Sequence, residues 1–339
     1  MNPPLPPAGA AQGQAALKGS APIPVSTTGP LFIVFNLGSG SGDEARARAA
    51  VQQACDAAGR AFELMDVDDP GELPALAREA VQRAQQAHGV VVAAGGDGTL
   101  NAVAQAVLGS GCAYGVLPQG TFNYFSRTHG IPSDTAQAMQ VLLHASAKPA
   151  QVGLVNGRVF LVNASLGLYP KLLEDREGWK QQFGRSRLVA FGAGLATLLR
   201  GYRSLRLRIE VQGEARNVRT PTLFVGNNAL QMEQLGFPLA KDIDGGALAA
   251  IMLRPVSRLS MLALLLRGAF GKLGDADQIL GIPCVRLTVH SARAFGPRRV
   301  KVATDGEIVW LPMPLEFAVA SEPLWLIRPD APAPERAAE

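Results

Sequence analysis

The chain has 339 residues, enough for two domains, and its 47% hydrophobic and 18% charged residues are typical of a globular protein. Its net charge of +4 is compatible with an anionic ligand or a membrane surface, and the lack of a basic run interleaved with aromatic residues argues against nucleic-acid binding. Three widely spaced cysteines, Cys55, Cys112 and Cys284, predict neither a metal-ligand cluster nor a disulfide framework, which favours a reducing compartment.

Both ends of the chain are predicted to be disordered tails, over residues 1–30 and 331–339. The first is rich in Ala, Pro and Gly and lacks the apolar core of a signal peptide. No stretch of about 18 apolar residues predicts a spanning helix. We therefore expect a cytoplasmic protein, with peripheral contact at the inner face of the membrane as an option.

Strands and helices alternate in the first half of the chain. Short apolar runs predict strands at 31–35, 62–65, 90–94 and 113–117, and helical patterns lie at 43–58, 72–87 and 101–108. Alternation of this kind predicts a doubly wound parallel α/β domain. We assign it to residues 31–150, as a nucleotide-binding domain.

The pattern changes near residue 150, where strand-like runs follow one another with few helices between them. They lie at 160–162, 205–211, 222–225, 248–253, 285–289, 300–303 and 315–320. Turn signals such as Asn156-Gly157 and Asp305-Gly306 separate some of them. We therefore predict a mostly antiparallel β-sandwich domain over 151–330.

The most informative motif is Gly95-Gly96-Asp97-Gly98-Thr99, between a predicted strand and helix. Ligands bind at the carboxyl ends of parallel strands, and glycines there let the backbone approach phosphate oxygens. Thr99 can donate its hydroxyl, and Asp97 implies Mg²⁺ or a role in proton transfer. The alternative is a tight turn with a helix cap, which so many motif residues at one junction disfavour.

Two further loops have the same setting. Gly120-Thr121 follows the strand at 113–117 and either contributes a second phosphate contact or forms a capped turn. The loop 36–42, which begins at Asn36, is either functional or a flexible connector.

These three loops together resemble the diacylglycerol kinase catalytic-domain family, which includes bacterial lipid kinases, sphingosine kinases and ceramide kinases. The matching segments are 35–42, Gly95 to Asn101, Leu117 to Asn123, Asn163 to Gly167 and Thr304 to Glu307. The resemblance runs from about residue 31 to 329. The glycine motif alone is shared with NAD kinases, whereas the full series is more specific.

The resemblance implies two domains with a nucleotide cleft between them, ATP and Mg²⁺ as cofactors, and a return of the chain's end to the first domain. The residues that would bind ATP are Asn36, Gly95, Gly96, Asp97, Gly98, Thr99, Leu100, Asn101, Gly120 and Thr121. Asp97 and Glu307 would be catalytic, with Glu307 as the general base for the substrate hydroxyl. The alternative for Asp305-Gly306-Glu307 is a hairpin turn with a solvated Glu.

The sequence departs from the family at two places. Tyr124 replaces the usual Asp after Thr-x-Asn, so the substrate pocket is expected to differ. The segment that holds a structural Mg²⁺ in some members appears here with shifted spacing, so either Asp242 or Asp244 is the ligand or the metal is absent.

Two apolar segments, 188–199 and 259–270, are too short to span a bilayer. They are either buried core helices or a lipid-facing edge whose Arg residues meet anionic headgroups.

The sequence therefore predicts an ATP-dependent lipid kinase that phosphorylates diacylglycerol, a sphingoid base or a related lipid alcohol. The expected partners are a lipid substrate and a membrane surface, with no nucleic acid and with a homodimer as an option. The alternatives are a soluble metabolite kinase of the NAD kinase type and a catalytically inactive nucleotide-binding regulator.

Overall fold

The computed structural model describes residues 26–36, 44–168, 170, 204–255, 278–292 and 296–330. The predicted apolar segments 188–199 and 259–270 lie outside these residues, as do the loop 36–42 apart from Asn36 and most of the predicted tails. The described chain divides into two compact units. Residues up to Val152 and from Ala320 onward form the first unit, and those between them form the second.

The first unit is an α/β unit built on a six-stranded sheet. Its strands are β1 (Leu31–Phe35), β2 (Phe62–Asp66), β3 (Val90–Gly95), β4 (Ala113–Pro118), β5 (Ala147–Ala150) and β18 (Leu324–Ile327). The spatial order is β2-β1-β3-β4-β18-β5, and every neighbouring pair is parallel except β18 with β5. Strands β1, β3 and β4 are fully buried, as expected for continuous apolar runs in a covered parallel sheet.

Helices connect these strands. They are α1 (Glu44–Ala58), α2 (Leu73–Ala87), α3 (Asp97–Val107), α4 (Tyr124–Thr128) and α5 (Thr135–His144), with a 3₁₀ turn at Pro70–Glu72. The predicted helix over 101–108 starts too late. Gly96 is extended (φ −81°, ψ 178°) and caps α3, so that the helix begins at Asp97. The glycine motif therefore contains the end of β3, the N-cap Gly96 and the first turn of α3, with no separate loop between them.

The second unit is a β-sandwich of two six-stranded antiparallel sheets. One sheet has the order β10-β9-β14-β17-β6-β7, with strands β6 (Gly153–Val155), β7 (Arg158–Phe160), β9 (Leu205–Val211), β10 (Glu214–Thr220), β14 (Arg286–Ser291) and β17 (Leu315–Val319). The other has the order β13-β12-β11-β8-β15-β16, with strands β8 (Asn163–Gly167), β11 (Thr222–Gly226), β12 (Leu248–Leu253), β13 (Ile279–Cys284), β15 (Arg299–Thr304) and β16 (Glu307–Pro312).

The core of the sandwich draws side chains from both sheets. Phe160 and Phe317 of the first sheet and Leu166 and Leu223 of the second are among its buried members. Two short helices, α6 (Ala229–Gln234) and α7 (Ala240–Asp244), form a smaller cluster with residues such as Ile251 of β12.

The predicted fold class is confirmed: a parallel α/β unit is followed by antiparallel sheets. Strand β18 pairs in the first sheet, although its residues were predicted to belong to the second domain, 151–330. The domain boundaries themselves stay predictions. None of the described helices combines the length and the apolar character that a membrane crossing requires.

Candidate functional site

Two glycine-rich junctions meet at the carboxyl edge of the parallel sheet. The Gln119 N–H donates to the Gly95 carbonyl across 2.8 Å, which ties the end of β4 to the end of β3. A Cβ atom placed on Gly120 would lie 3.1 Å from the Cα of Gly96. The two backbones therefore approach as closely as residues without side chains allow.

Helix α3 begins at this junction and directs its N-terminus towards the edge of the sheet. The first N–H groups of a helix have no partner within it, and its dipole favours an anion there. Asp97 lies in this first turn, and its Oδ1 atom is shielded from solvent. The turn thus offers backbone donors for a phosphate next to a single carboxylate.

Asn36 and Thr99 link the first strand to this turn. The Nδ2 of Asn36 donates to the Oγ1 of Thr99 at 3.0 Å, and the Asn36 N–H donates to the Ala94 carbonyl at 2.8 Å. Because the Thr99 oxygen accepts from the amide, its own O–H remains a donor that can be directed at a phosphate oxygen.

Leu100 and Asn101, which the resemblance places in the nucleotide site, are turned inward. The Leu100 side chain is fully buried, its N–H donates to the Gly96 carbonyl, and its carbonyl accepts from the Tyr114 hydroxyl at 2.8 Å. Asn101 is also buried. Burial raises the pKa of Tyr114 well above its usual value, and the negative charge of Asp97 adds to this effect.

Asn123 holds the second glycine junction in shape. Its Oδ1 accepts from the Gly120 N–H at 3.0 Å, and its Nδ2 donates to the Gly120 carbonyl at 2.8 Å. Asn123 has a left-handed backbone (φ 47°), which Asn tolerates better than most residues. Thr121 is exposed, and the rings of Phe122 and Tyr124 stack with their centroids 6.0 Å apart.

The donor set fits a Mg²⁺ ion that arrives with a nucleotide. The described residues contain no group of three or more His, Cys, Asp or Glu that could hold a metal by themselves. Mg²⁺, however, commonly binds one or two carboxylates together with substrate phosphates and water. The shielded Asp97 carboxylate beside the helix N-terminus supplies such a ligand.

In the second unit, Asp305 fixes the tip of the β15–β16 hairpin. Its Oδ2 accepts from the Leu161 N–H at 2.7 Å, and its Oδ1 accepts from the N–H groups of Val162 and Asn163, both at 2.9 Å. Its own N–H donates to the Asn163 carbonyl at 2.9 Å. The turn is therefore joined to the β7–β8 connection, and the interpretation of Asp305-Gly306 as a hairpin turn is correct.

Glu307 is the first residue of β16 and lies beside this fixed turn. Its side chain is 56% exposed, and its Oε2 lies 3.6 Å from the Nη2 of Arg158. Partial burial raises the pKa of Glu307, Arg158 opposes the rise, and the charge of Asp305 adds to it. A carboxylate with a raised pKa is a stronger proton acceptor once it is ionised.

One part of the chain is similar to a known family. Residues 30–155 match the model of the diacylglycerol kinase catalytic domain. The matched region contains both glycine junctions, Asn36 and Asp97.

Curated relatives and solved structures extend the similarity. A probable lipid kinase YegS-like protein of Pseudomonas aeruginosa is 35% identical over 165 residues, which cover 48% of this chain and 52% of that protein. A diacylglycerol kinase of Bacillus subtilis is 34% identical over 146 residues, covering 42% and 47%. The chain thus spans about half the length of the curated relatives it matches. A crystal structure of a diacylglycerol kinase from Bacillus anthracis shares the fold, with a TM-score of 0.63, 18% identity and coverage of 90% of this chain and 98% of that one.

The predicted metal ligands Asp242 and Asp244 lie outside the region that matches the diacylglycerol kinase catalytic domain. Both are in helix α7, where side chains two residues apart point in different directions. Partial burial raises the pKa of Asp244. Their assignment to a structural Mg²⁺ stays a prediction.

From the sequence, Asn123 is a motif member and Asp305 is part of a predicted turn, but the hydrogen bonds of their side chains were not predicted. Each side chain fixes a loop that carries a proposed functional residue, Gly120 in one case and Glu307 in the other. Both have a left-handed backbone, and an Asn or Asp beside a glycine turn was the available signal. The role of Arg158 could not be predicted, because its partner Glu307 is distant in the sequence.

Proposed function

We propose that the protein is an ATP-dependent lipid kinase that transfers the γ-phosphate of ATP to the hydroxyl of diacylglycerol, a sphingoid base or a related lipid alcohol. The observation that carries the proposal is the contact of the Gly96 and Gly120 backbones at the N-terminus of α3, inside a diacylglycerol kinase catalytic domain. The names of the relatives, lipid kinase and diacylglycerol kinase, support a lipid alcohol as the acceptor.

In this proposal the first turn of α3 and the Gly120 loop bind the phosphates of ATP. Backbone N–H groups and the Thr99 hydroxyl donate to phosphate oxygens, which fixes the phosphate to be transferred. Asp97 would hold Mg²⁺, which would neutralise charge on the phosphate oxygens. Leu100 and Asn101 support the turn from inside, and their contribution to nucleotide binding is indirect.

Glu307 is the proposed general base. Its carboxylate accepts the proton of the acceptor hydroxyl as that oxygen bonds to the γ-phosphorus and the bond to the ADP oxygen breaks. The hydrogen bonds of Asp305 hold the turn that carries it, and the charge of Arg158 favours the ionised form of Glu307.

The test is transfer of label from γ-labelled ATP with Mg²⁺ to a panel of acceptors: diacylglycerol, sphingosine, ceramide, monoacylglycerol and NAD. We expect one lipid to be labelled. Labelling of NAD alone would indicate a metabolite kinase, and ATP binding without transfer to any acceptor would indicate an inactive regulator.

Two variants and two matched controls test the assigned roles. Asp97→Asn should lower turnover by about 10²–10³-fold, whereas Asp134→Asn exchanges the N-cap of α5 and should have little effect, because Asn caps as well as Asp. Glu307→Gln should lower turnover by about 10²-fold or more with little change in ATP affinity. Glu214→Gln is its control, because Glu214 occupies the same position in the β9–β10 hairpin. Near-normal turnover of folded Asp97→Asn or Glu307→Gln would remove that residue from the mechanism.

We further propose a cytoplasmic location with peripheral membrane contact. Cell fractionation should recover the protein in the soluble fraction or release it from membranes with high salt. Light scattering of the purified protein tests the homodimer option.

A further inference from the structure

The register of the β15–β16 hairpin separates its side chains onto two faces of their sheet. Val302 is fully buried in the sandwich core, with the partly buried Val300, Val309 and Leu311 packed against that core. Side chains alternate along strands, so the remaining positions lie on the opposite face. Ala303 is fully buried, and we call the other five residues, which are exposed or half-buried, the outward face: Arg299, Lys301, Ile308, Trp310 and Pro312.

A large aromatic ring is held in solvent on the outward face. Trp310 is 53% exposed, which is unusual for an apolar side chain of this size. The Nζ of Lys301, its cross-strand neighbour, lies 5.4 Å from the ring centroid, and the Nη2 of Arg299 donates to the Trp310 carbonyl at 2.8 Å. Two cations thus flank an exposed tryptophan.

The acidic residues of the hairpin are directed elsewhere. The Asp305 carboxylate is engaged with the amides of residues 161–163, and Glu307 pairs across the strands with Thr304, on the side of Val302. Among the described hairpin residues, the outward face therefore carries positive charge and no carboxylate.

We propose that the outward face of the β15–β16 hairpin docks on the surface of an anionic lipid bilayer. Tryptophan is favoured where an apolar region meets water, and Lys and Arg near an anionic leaflet are attracted to its headgroups. The choice of a lipid surface as the occupant rests on the proposed function. A protein partner is disfavoured because the apolar area is small. One exposed ring together with Ile308 and Pro312 offers much less apolar area than the centre of a stable dimer interface.

The other sheet of the sandwich provides an internal comparison. Its outer positions include the exposed Arg206 and Arg208 of β9, together with Glu210 and the exposed Glu316. That surface carries cations too, but no exposed aromatic side chain was found among its described residues. Substitutions on the two faces can therefore distinguish binding by general electrostatic attraction from binding that needs an inserted aromatic ring.

The first experiment follows the tryptophan. The chain contains three tryptophans, so Trp179→Phe with Trp325→Phe leaves Trp310 as the single reporter. Vesicles of phosphatidylcholine with phosphatidylglycerol should shift its emission to the blue, and brominated lipid should quench it, without nucleotide present. Unchanged emission and no quenching would overturn the proposal. This readout does not require kinase activity, so it fails or succeeds independently of the proposed function.

The second experiment measures co-sedimentation with the same vesicles. Arg299→Gln and Lys301→Gln should each weaken binding by about fivefold, and Trp310→Ala should weaken it as well. The control Arg206→Gln/Arg208→Gln should bind as the unchanged protein does. An equal loss of vesicle binding in the control would overturn the proposal and indicate non-specific electrostatic attraction. Self-association that is lost in Trp310→Ala, without vesicle binding, would show that a second copy occupies the face. If a variant fails to fold, the fluorescence of the single-tryptophan protein still tests whether the outward face contacts the bilayer.

Discussion

Removal of one oxygen from the Asp305 carboxylate should destabilise the second unit by a predictable amount. In Asp305→Asn, Oδ1 can still accept from Val162 and Asn163, but an NH₂ group replaces Oδ2 and faces the Leu161 N–H. One charge-assisted bond is lost, at about 1.5–3 kcal/mol, and the two remaining bonds weaken by about 0.5 kcal/mol each on becoming neutral. We expect the free energy of unfolding to fall by about 3 kcal/mol. Asn tolerates the left-handed backbone, so strain adds little.

Urea denaturation followed by circular dichroism and tryptophan fluorescence measures this loss. The matched control is Gln212→Asn, at the left-handed turn position of the β9–β10 hairpin, where a change of less than about 0.5 kcal/mol is expected. Turnover should fall with little change in the KM for ATP, because the turn that carries Glu307 loosens. A loss of stability below about 1 kcal/mol, or equal to that of the control, would falsify the assignment of Asp305 as the anchor of the hairpin.

Three further changes test other parts of the molecule. Gly120→Ala places a Cβ 2.8 Å from the Oδ1 of Asn123 and 3.1 Å from the Cα of Gly96, so nucleotide affinity should fall by about tenfold or more in calorimetry; an unchanged affinity would argue against a role of this junction in nucleotide binding. Arg158→Leu removes the cation that lowers the pKa of Glu307, so the acid limb of the pH–turnover profile should move to higher pH. An unchanged acid limb would show that Arg158 does not influence the ionisation of Glu307. Burial, reinforced by a nearby arginine, lowers the pKa of His129 to about 3. Because the unfolded chain takes up this proton near pH 6.5 and the folded chain does not, stability should fall as pH drops from about 6.5 towards 3, and His129→Gln should flatten that slope in urea melts across the same pH range.

The sequence was most informative for strands in which every residue is buried. The runs at 31–35 and 90–94 are apolar throughout, which is typical of core strands in a covered sheet. The strand β10 (Glu214–Thr220) was missed, because five of its seven residues are polar and it forms by pairing with β9 across a turn. Its structure depends on a neighbour and not on its own pattern.

The candidate site shows the same division. Glycines at a strand–helix junction predict a phosphate site from local chemistry alone, and Asn36 was predicted from the family motif. The anchoring of Asp305 by residues 161–163 could not be predicted, because those partners lie more than 140 positions earlier in the chain. The helix start at Asp97 was missed because Gly98 disfavours helix by propensity, and the tertiary setting overrides that preference.

The position of β18 has a consequence for the synthesis of the chain. Strand β5 pairs only with β18 in the described sheet, and the Ala320 N–H donates to the Val152 carbonyl where the chain returns. At about 5–20 residues per second, the ribosome needs about 10–35 s to make the ~170 residues that separate the two strands. Until then the nascent first sheet presents β4 as an open edge with exposed backbone groups, a state prone to unwanted pairing. Ribosome-bound chains truncated before residue 324 should therefore bind chaperones at this edge, and chains extended well past residue 330 should release them.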